Sequence, residues 1–197
     1  MKSLHKNLML SFIALGAFTL QGAKADMLDL YMMGVLPSIV GAPLSSTLKK
    51  TGQTIVYTNY DDGWYKIGVT PSYTRNADET VTDHITGLMW QDDAAAKTWK
   101  GNWSAADVRC RGLTLGTYAD WRVPTLEELQ GIVVNGAWNP SMDTGAFINY
   151  STSTHYWSST VYAGYTDYAW SVSFANGYMH YYDKATSYYV RCVRAGY

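Results

Sequence analysis

Ala169-Trp170-Ser171-Val172-Ser173-Phe174-Ala175-Asn176-Gly177-Tyr178-Met179-His180-Tyr181-Tyr182 reads as a β-hairpin. Trp170, Val172 and Phe174 alternate with Ala169, Ser171 and Ser173, the period of a half-buried strand. Asn176-Gly177 suits the positive backbone angles of a two-residue turn. Such a turn sets Ala175 opposite Tyr178, Phe174 opposite Met179, Ser173 opposite His180, Val172 opposite Tyr181 and Ser171 opposite Tyr182. Paired residues share a face of a sheet. One face then carries Trp170, Val172, Phe174, Met179 and Tyr181 and is expected to meet the core. The other carries Ser171, Ser173, Ala175, Tyr178, His180 and Tyr182 and is expected to be wet.

That second face is the candidate binding surface. The chain has 17 Tyr and 8 Trp but only 4 Phe, more phenol than a core needs, because each buried hydroxyl must find a partner. Tyrosine among Ser, Asn and Gly offers wide contact area at low entropic cost, and aromatic faces stack on sugar rings. Tyr162, Tyr165 and Tyr168 lie in or near the loop feeding the hairpin. The candidate ligand-binding residues are therefore Tyr162, Tyr165, Tyr168, Tyr178, His180 and Tyr182. The alternative is that these rings cover the sheet or meet another part of the same chain.

Outward from the hairpin, Tyr156 to Thr160 and Tyr188 to Arg194 read as strands, and Val81 to Gln91 as a strand pair or a strand after a turn at Thr86-Gly87. Two helices precede the hairpin. One runs from about Ser104 to Gly112, with Ser104 and Asp107 at capping-box spacing and Trp103, Ala106, Cys110 and Leu113 on one face. The other follows Pro124, with a Thr125/Glu128 capping box and the stripe Leu126, Leu129, Ile132, Val133. Helices inside a strand-rich frame predict an α+β domain, two helices with a mostly antiparallel twisted sheet and long loops. Further upstream, Thr54-Ile55-Val56-Tyr57 and Trp64-Tyr65-Lys66-Ile67 read as short strands split by a turn at Asp61-Asp62-Gly63.

Residues 1–25 read as a secretory signal. Lys2 and Lys6 precede an apolar stretch from Leu8 to Leu20, and Ala23-Lys24-Ala25 is a small-x-small cleavage site. The stretch is too short to span a bilayer. Residues 26–50 follow as an apolar lead-in and linker, 51–80 as a β-rich extension and 81–197 as the main domain. Met27 to Val40 suits a short helix on the domain or a partner, or a disordered lead-in; a homo-oligomer is one outcome. Export implies a periplasmic, secreted or surface protein with no transmembrane anchor in the mature chain.

The signal carries three of the fifteen Lys and Arg and none of the sixteen Asp and Glu, which leaves twelve against sixteen and a mature net charge of −4. That balance argues against a nucleic-acid partner and a generic grip on polyanions. An oxidising compartment favours a bridge between Cys110 and Cys192; two free buried thiols are the alternative.

No catalytic pattern emerges. His84, His155 and His180 are too scattered for a zinc set, and no nucleophile elbow, phosphate loop or dinucleotide fingerprint occurs. Asp61-Asp62-Gly63 and Asp92-Asp93 fall short of a calcium shell and read as turns. No cofactor or metal is expected. Arg122 is expected to tie the helices to the sheet. Arg191, Arg194 and Lys184 read either as a sulfate-binding patch or as ion pairs within the fold.

Several motifs resemble one family. They are Thr86-Gly87-Leu88-Met89-Trp90-Gln91, Trp103 and Cys110, Asp120-Trp121-Arg122-Val123-Pro124-Thr125, Glu128-Leu129, Tyr156-Trp157-Ser158-Ser159-Thr160, Ala169-Trp170, Val172, Phe174, Gly177, Lys184 and Arg191-Cys192-Val193-Arg194. In this order they are similar to the Lcl C-terminal domain family, over about Val81 to Arg194. The resemblance implies a C-type lectin-like fold, shared distantly with the formylglycine-generating enzyme, and a helix cysteine bridged to the last strand. The adhesin that names the family binds sulfated glycans through this domain; its collagen-like Gly-x-y repeat is missing here. The resemblance thus implies a non-catalytic module that recognises a glycan or protein ligand. A structural envelope protein is the second reading and a formylglycine-type enzyme the third.

Overall fold

A computed structural model describes residues 48–196. The expected signal and most of the lead-in, including Met27 to Val40, lie outside the described residues. The chain runs α1 (Asp62–Tyr65), β1 (Tyr73–Arg75), β2 (Thr80–Asp83), β3 (Leu88–Gln91), α2 (Ala95–Thr98), β4 (Lys100–Gly101), α3 (Trp103–Arg111), α4 (Leu126–Gln130), β5 (His155–Val161), β6 (Tyr168–Ser173), β7 (Met179–Asp183), β8 (Tyr188–Tyr189) and β9 (Val193–Ala195). The fold is α+β. One sheet has the order β1-β2-β3-β9 and the other β4-β8-β5-β6-β7. All pairings are antiparallel except β5 with β8.

The two expected helices form. α3 begins at Trp103, because the Asn102 side chain accepts the Ala105 N–H at 2.8 Å. This cap lies ahead of the expected Ser104, which falls instead in the first turn. α4 has the expected capping box: Glu128 N–H donates to Thr125 Oγ1 at 3.2 Å and Thr125 N–H donates to Glu128 Oε2 at 2.8 Å. Arg122 donates to both Glu128 oxygens, at 2.7 and 2.6 Å. Burial by itself would raise the Glu128 pKa, but the hydrogen bonds from Arg122 and the Thr125 N–H hold it below the usual range. The Arg122 backbone exchanges two hydrogen bonds with Val193, both at 2.9 Å. Arg122 therefore ties α4 to the sheet, as its sequence context suggested.

Two apolar clusters cover opposite faces of the five-stranded sheet. Leu129, Ile132, Phe147, Tyr156, Val172 and Phe174 belong to one. Ala106, Cys110, Trp121, Trp157, Ala169 and Cys192 belong to the other. Tyr156 and Val172 pair across β5 and β6, as do Trp157 and Ser171, so neighbouring positions feed opposite clusters. α3 presents Ala106 and Cys110 to the second cluster, the face its spacing predicted.

The upstream strands do not form. Thr54 to Tyr57 is irregular and Asp62–Tyr65 is one helical turn. Asp61 decides this. Its carboxylate accepts from Tyr57 N–H at 2.8 Å, Trp64 N–H at 2.8 Å and Gln53 Nε2 at 3.0 Å. A side chain that gathers backbone donors competes with strand pairing. The loop it organises has polar groups inside and leaves Ile55, Tyr57, Tyr60, Trp64 and Ile67 exposed.

Candidate aromatic binding site

The hairpin register is displaced by two residues from the expected one. Val172 pairs with Met179, Ser171 with His180, Trp170 with Tyr181 and Ala169 with Tyr182. Phe174 and Ala175 leave the ladder because another segment takes their carbonyls. Ser141 N–H donates to Phe174 O and Asn139 N–H to Ala175 O, both at 2.8 Å. Phe174, thus released, is fully buried with its ring 4.9 Å from Tyr156. The turn closes through Ser173 N–H to Tyr178 O at 2.9 Å and Gly177 N–H to Ser173 O at 2.8 Å. A displacement of two preserves side-chain parity, so the expected division into two faces survives.

The labels of those faces survive only in part: Val172 and Phe174 are buried, and Tyr178 and His180 exposed, as expected. Ala169, Ser171 and Ser173 are buried, whereas Trp170 and Tyr181 are only half-buried and Met179 is exposed. From Val172 towards Trp170 the first apolar cluster ends, and aromatic side chains take over that face. Tyr162 and Tyr181 stack in parallel, 4.0 Å apart. Trp170 stands crosswise to both, at 5.6 and 5.5 Å. Tyr168 meets Tyr181 edge-on at 6.0 Å, and Tyr165 lies 6.2 Å from Tyr162 and 6.0 Å from Tyr168. Tyr162, Tyr165 and Tyr168 are thus brought together, and their partners are Trp170 and Tyr181. Gly164 leaves room for this: a Cβ there would come within 2.8 Å of the Tyr162 ring. Tyr165, at 66% exposure, is the ring most open to solvent in the group.

Tyr178 and Tyr182 do not join that group, whereas the His180 ring touches it, stacked 5.0 Å from Tyr181. Tyr182 lies on the opposite face, against His155 at 4.8 Å, His180 at 4.7 Å and Tyr188 at 4.9 Å. Tyr188 in turn packs on the buried Trp157 at 5.0 Å. Burial, and then the nearby His180, lower the His155 pKa. The His180 ring also meets Tyr181 O through Nδ1 at 2.7 Å. Tyr178 is 69% exposed at the turn. The single patch expected from the hairpin is therefore two aromatic surfaces on opposite sides of β7, the strand at the sheet edge, with the His180 ring in contact with Tyr181 of one and Tyr182 of the other.

The remaining motif residues are committed to the fold. Cys110 and Cys192 form a disulfide that joins α3 to the segment before β9. Arg191 is fully buried, donating to Asp92 Oδ1 at 2.9 Å, Gln91 O at 2.6 Å and Asn149 O at 2.6 Å. Arg194 reaches both oxygens of Asp120, at 2.6 and 3.2 Å, and lies over the Tyr118 ring. A family model described as the Lcl C-terminal domain matches residues 79–194.

The chain belongs to the Lcl C-terminal domain family. No curated protein matches it. In this Lcl C-terminal domain the sulfate-patch alternative for Arg191, Arg194 and Lys184 is overturned, because Arg191 and Arg194 are buried in ion pairs. Lys184 donates to Thr166 O at 2.7 Å and lies 4.5 Å from the Trp103 ring centroid. Asp92 serves Arg75 and Arg191, and Asp93 accepts from Ala96 N–H. Among the described residues, no group of three or more acids, His or Cys is placed to hold a metal ion. No described helix is long and apolar enough to cross a membrane.

Sequence reasoning missed Trp170 and Tyr181 as site residues, having assigned both to the core. Alternation groups them with Val172 but does not show where cover ends. The usable signal was Tyr168, two positions before Trp170 and hence on the same face.

Proposed function

We propose that this is an exported, non-catalytic recognition module of C-type lectin-like fold that binds a glycan or protein ligand in the periplasm or at the cell surface. The observation that carries the reading is the contiguous group Tyr162, Tyr165, Tyr168, Trp170 and Tyr181 at the sheet edge. Tyr165 is exposed and the other four rings are half-buried, and contiguous aromatics open to solvent mark interaction sites more than scattered ones do. The rings are held by each other and by the ladder, so little side-chain entropy remains to be lost on binding. The disulfide fits an oxidising compartment and leaves no free cysteine among the described residues for formylglycine chemistry. The Ser158 hydroxyl is spent on Trp170 O at 2.8 Å, which supports a structural part for that serine.

The test is retention of the mature protein on paired glycan and protein-ligand arrays. Recognition predicts retention that Tyr165→Ala/Tyr168→Ala abolishes in a variant with unchanged circular dichroism. Absence of retention on both arrays, with the protein folded, would favour the structural-envelope reading.

A further inference from the structure

The chemistry around the five rings selects among ligands. Resting on the recognition reading above, we infer that this surface takes uncharged sugars, with pyranose C–H faces on Tyr165 and its neighbours and sugar hydroxyls on Asp183, which lies opposite Tyr168 on the same face.

Charge is the first argument. No lysine or arginine occurs between Arg122 and Lys184, so the whole sequence that builds the site is free of permanent cations. Arg191 and Arg194, next in the chain, are buried in ion pairs. Lys184 is half-buried, bonded to Thr166 O and drawn over Trp103. Against that one engaged ammonium stand two exposed carboxylates, Asp167 in the loop and Asp183 directly opposite Tyr168 on β7. Sulfate and uronate groups are held by arginine forks and clusters of free cations. A surface with two acids and one occupied lysine repels them.

The second argument is the match to an uncharged sugar. The C–H face of a pyranose is apolar and flat enough to lie on an aromatic ring, while its hydroxyls need acceptors at the rim. Asp183 accepts Ala185 N–H through Oδ1 at 2.8 Å, so its second oxygen can accept a hydroxyl proton. Charged acceptors make the stronger hydrogen bonds.

The sheet edge is poorly disposed to a peptide strand. β7 is the edge of its sheet, and an open edge can take an added strand. In an antiparallel ladder the residues between bonded pairs turn their N–H and C=O groups outward. Ser173 N–H bonds Tyr178 O and Lys184 N–H bonds Asp167 O, so the alternation places Tyr181 among the outward-facing residues. The His180 ring already occupies Tyr181 O. An incoming strand would lose that acceptor in the middle of the edge.

The deciding experiment probes the mature protein with an array of neutral, sulfated and uronate-bearing oligosaccharides plus immobilised peptides. Titration calorimetry on the best neutral oligosaccharide follows, at low and high salt. Expected are retention on neutral oligosaccharides, an affinity that salt changes less than twofold, and a loss of tenfold or more in Tyr165→Ala. Asp183→Asn is expected to weaken binding, whereas Tyr178→Ala, on the other face, keeps wild-type affinity. Retention only on sulfated or uronate-bearing glycans, or only on peptides, overturns the uncharged-sugar assignment and leaves recognition standing. Retention on nothing, with the protein folded, overturns both.

Discussion

The rings of Tyr162 and Tyr181 are parallel and 4.0 Å apart, although they come from just past the end of β5 and the middle of β7. Each also meets Trp170 nearly at right angles. Stacked and crossed rings of this kind contribute about 0.5–1.5 kcal/mol per pair beyond their burial. Tyr162→Ala is expected to lower stability by about 1–2 kcal/mol and to disorder the loop carrying Tyr165. Urea denaturation gives the first quantity. A Tyr165 backbone amide that exchanges no faster in the variant would refute the second.

The disulfide closes a loop whose ends are 82 residues apart. In the chain-entropy account a loop of that size stabilises by about 4–5 kcal/mol. Cys110→Ser/Cys192→Ser is expected to lose that amount and to unfold near physiological temperature. Calorimetry of the variant against the oxidised protein measures it. A fall of under 1 kcal/mol would mean that the apolar clusters hold the helix to the sheet unaided.

Arg191 and Asp92 form an ion pair with both side chains fully buried. Ile148 and Asn149 N–H also bond the Asp92 carboxylate, each at 3.1 Å, so this pair anchors the long segment before β5. Removing one partner of such a pair strands the other charge and costs about 3–5 kcal/mol. Arg191→Met is expected to show a loss of that size. Arg191→Met/Asp92→Leu should recover part of it, which a double-mutant cycle in urea would detect.

Acid should loosen the Asp61 loop first. Hydrogen bonds led by Tyr57 N–H hold the Asp61 carboxyl below its usual range. A depressed folded value means the contribution is present above the unfolded pKa, about 3.9, and is lost as pH falls through the folded value. Proteolysis within residues 53–65 is expected to rise in that acid range while the disulfide-linked domain stays intact. Asp61→Ala should show the same cleavage at neutral pH.

Alkali acts on the second aromatic surface. Burial first, and then the neighbouring Tyr182, push the Tyr188 phenol up to about 12. A raised folded value means that the contribution is complete below the unfolded pKa, about 10, and is lost as pH rises through the folded value. The melting temperature should fall across this interval, and Tyr188→Phe should flatten the slope. An equal slope in the variant would place the alkaline loss elsewhere.

Much of the fold is legible in local pattern. The Thr125/Glu128 capping box, the buried stripe of α3 and the turn at Thr86-Gly87 rest on neighbours a few residues away, and such contacts are encoded by spacing. The Arg122–Glu128 tie also falls within six residues. The Thr54 and Trp64 runs misled because β-branched and aromatic residues mark surfaces that can pack in a sheet. Here the Asp61 carboxylate accepts backbone donors that a strand would need for pairing.

The amino-acid sequence alone determined which hairpin residues share a face, because side-chain alternation has period two and a two-residue slip leaves it unchanged. Only tertiary structure decided which face is dry and where the site lies. Asn139 and Ser141 draw Ala175 and Phe174 out of the ladder, and the apolar cover stops between Val172 and Trp170. The first depends on Asn139 and Ser141, more than thirty residues upstream of the hairpin turn, and the second on segments spread from Val81 to Val193, and a local pattern holds no record of contacts at that range.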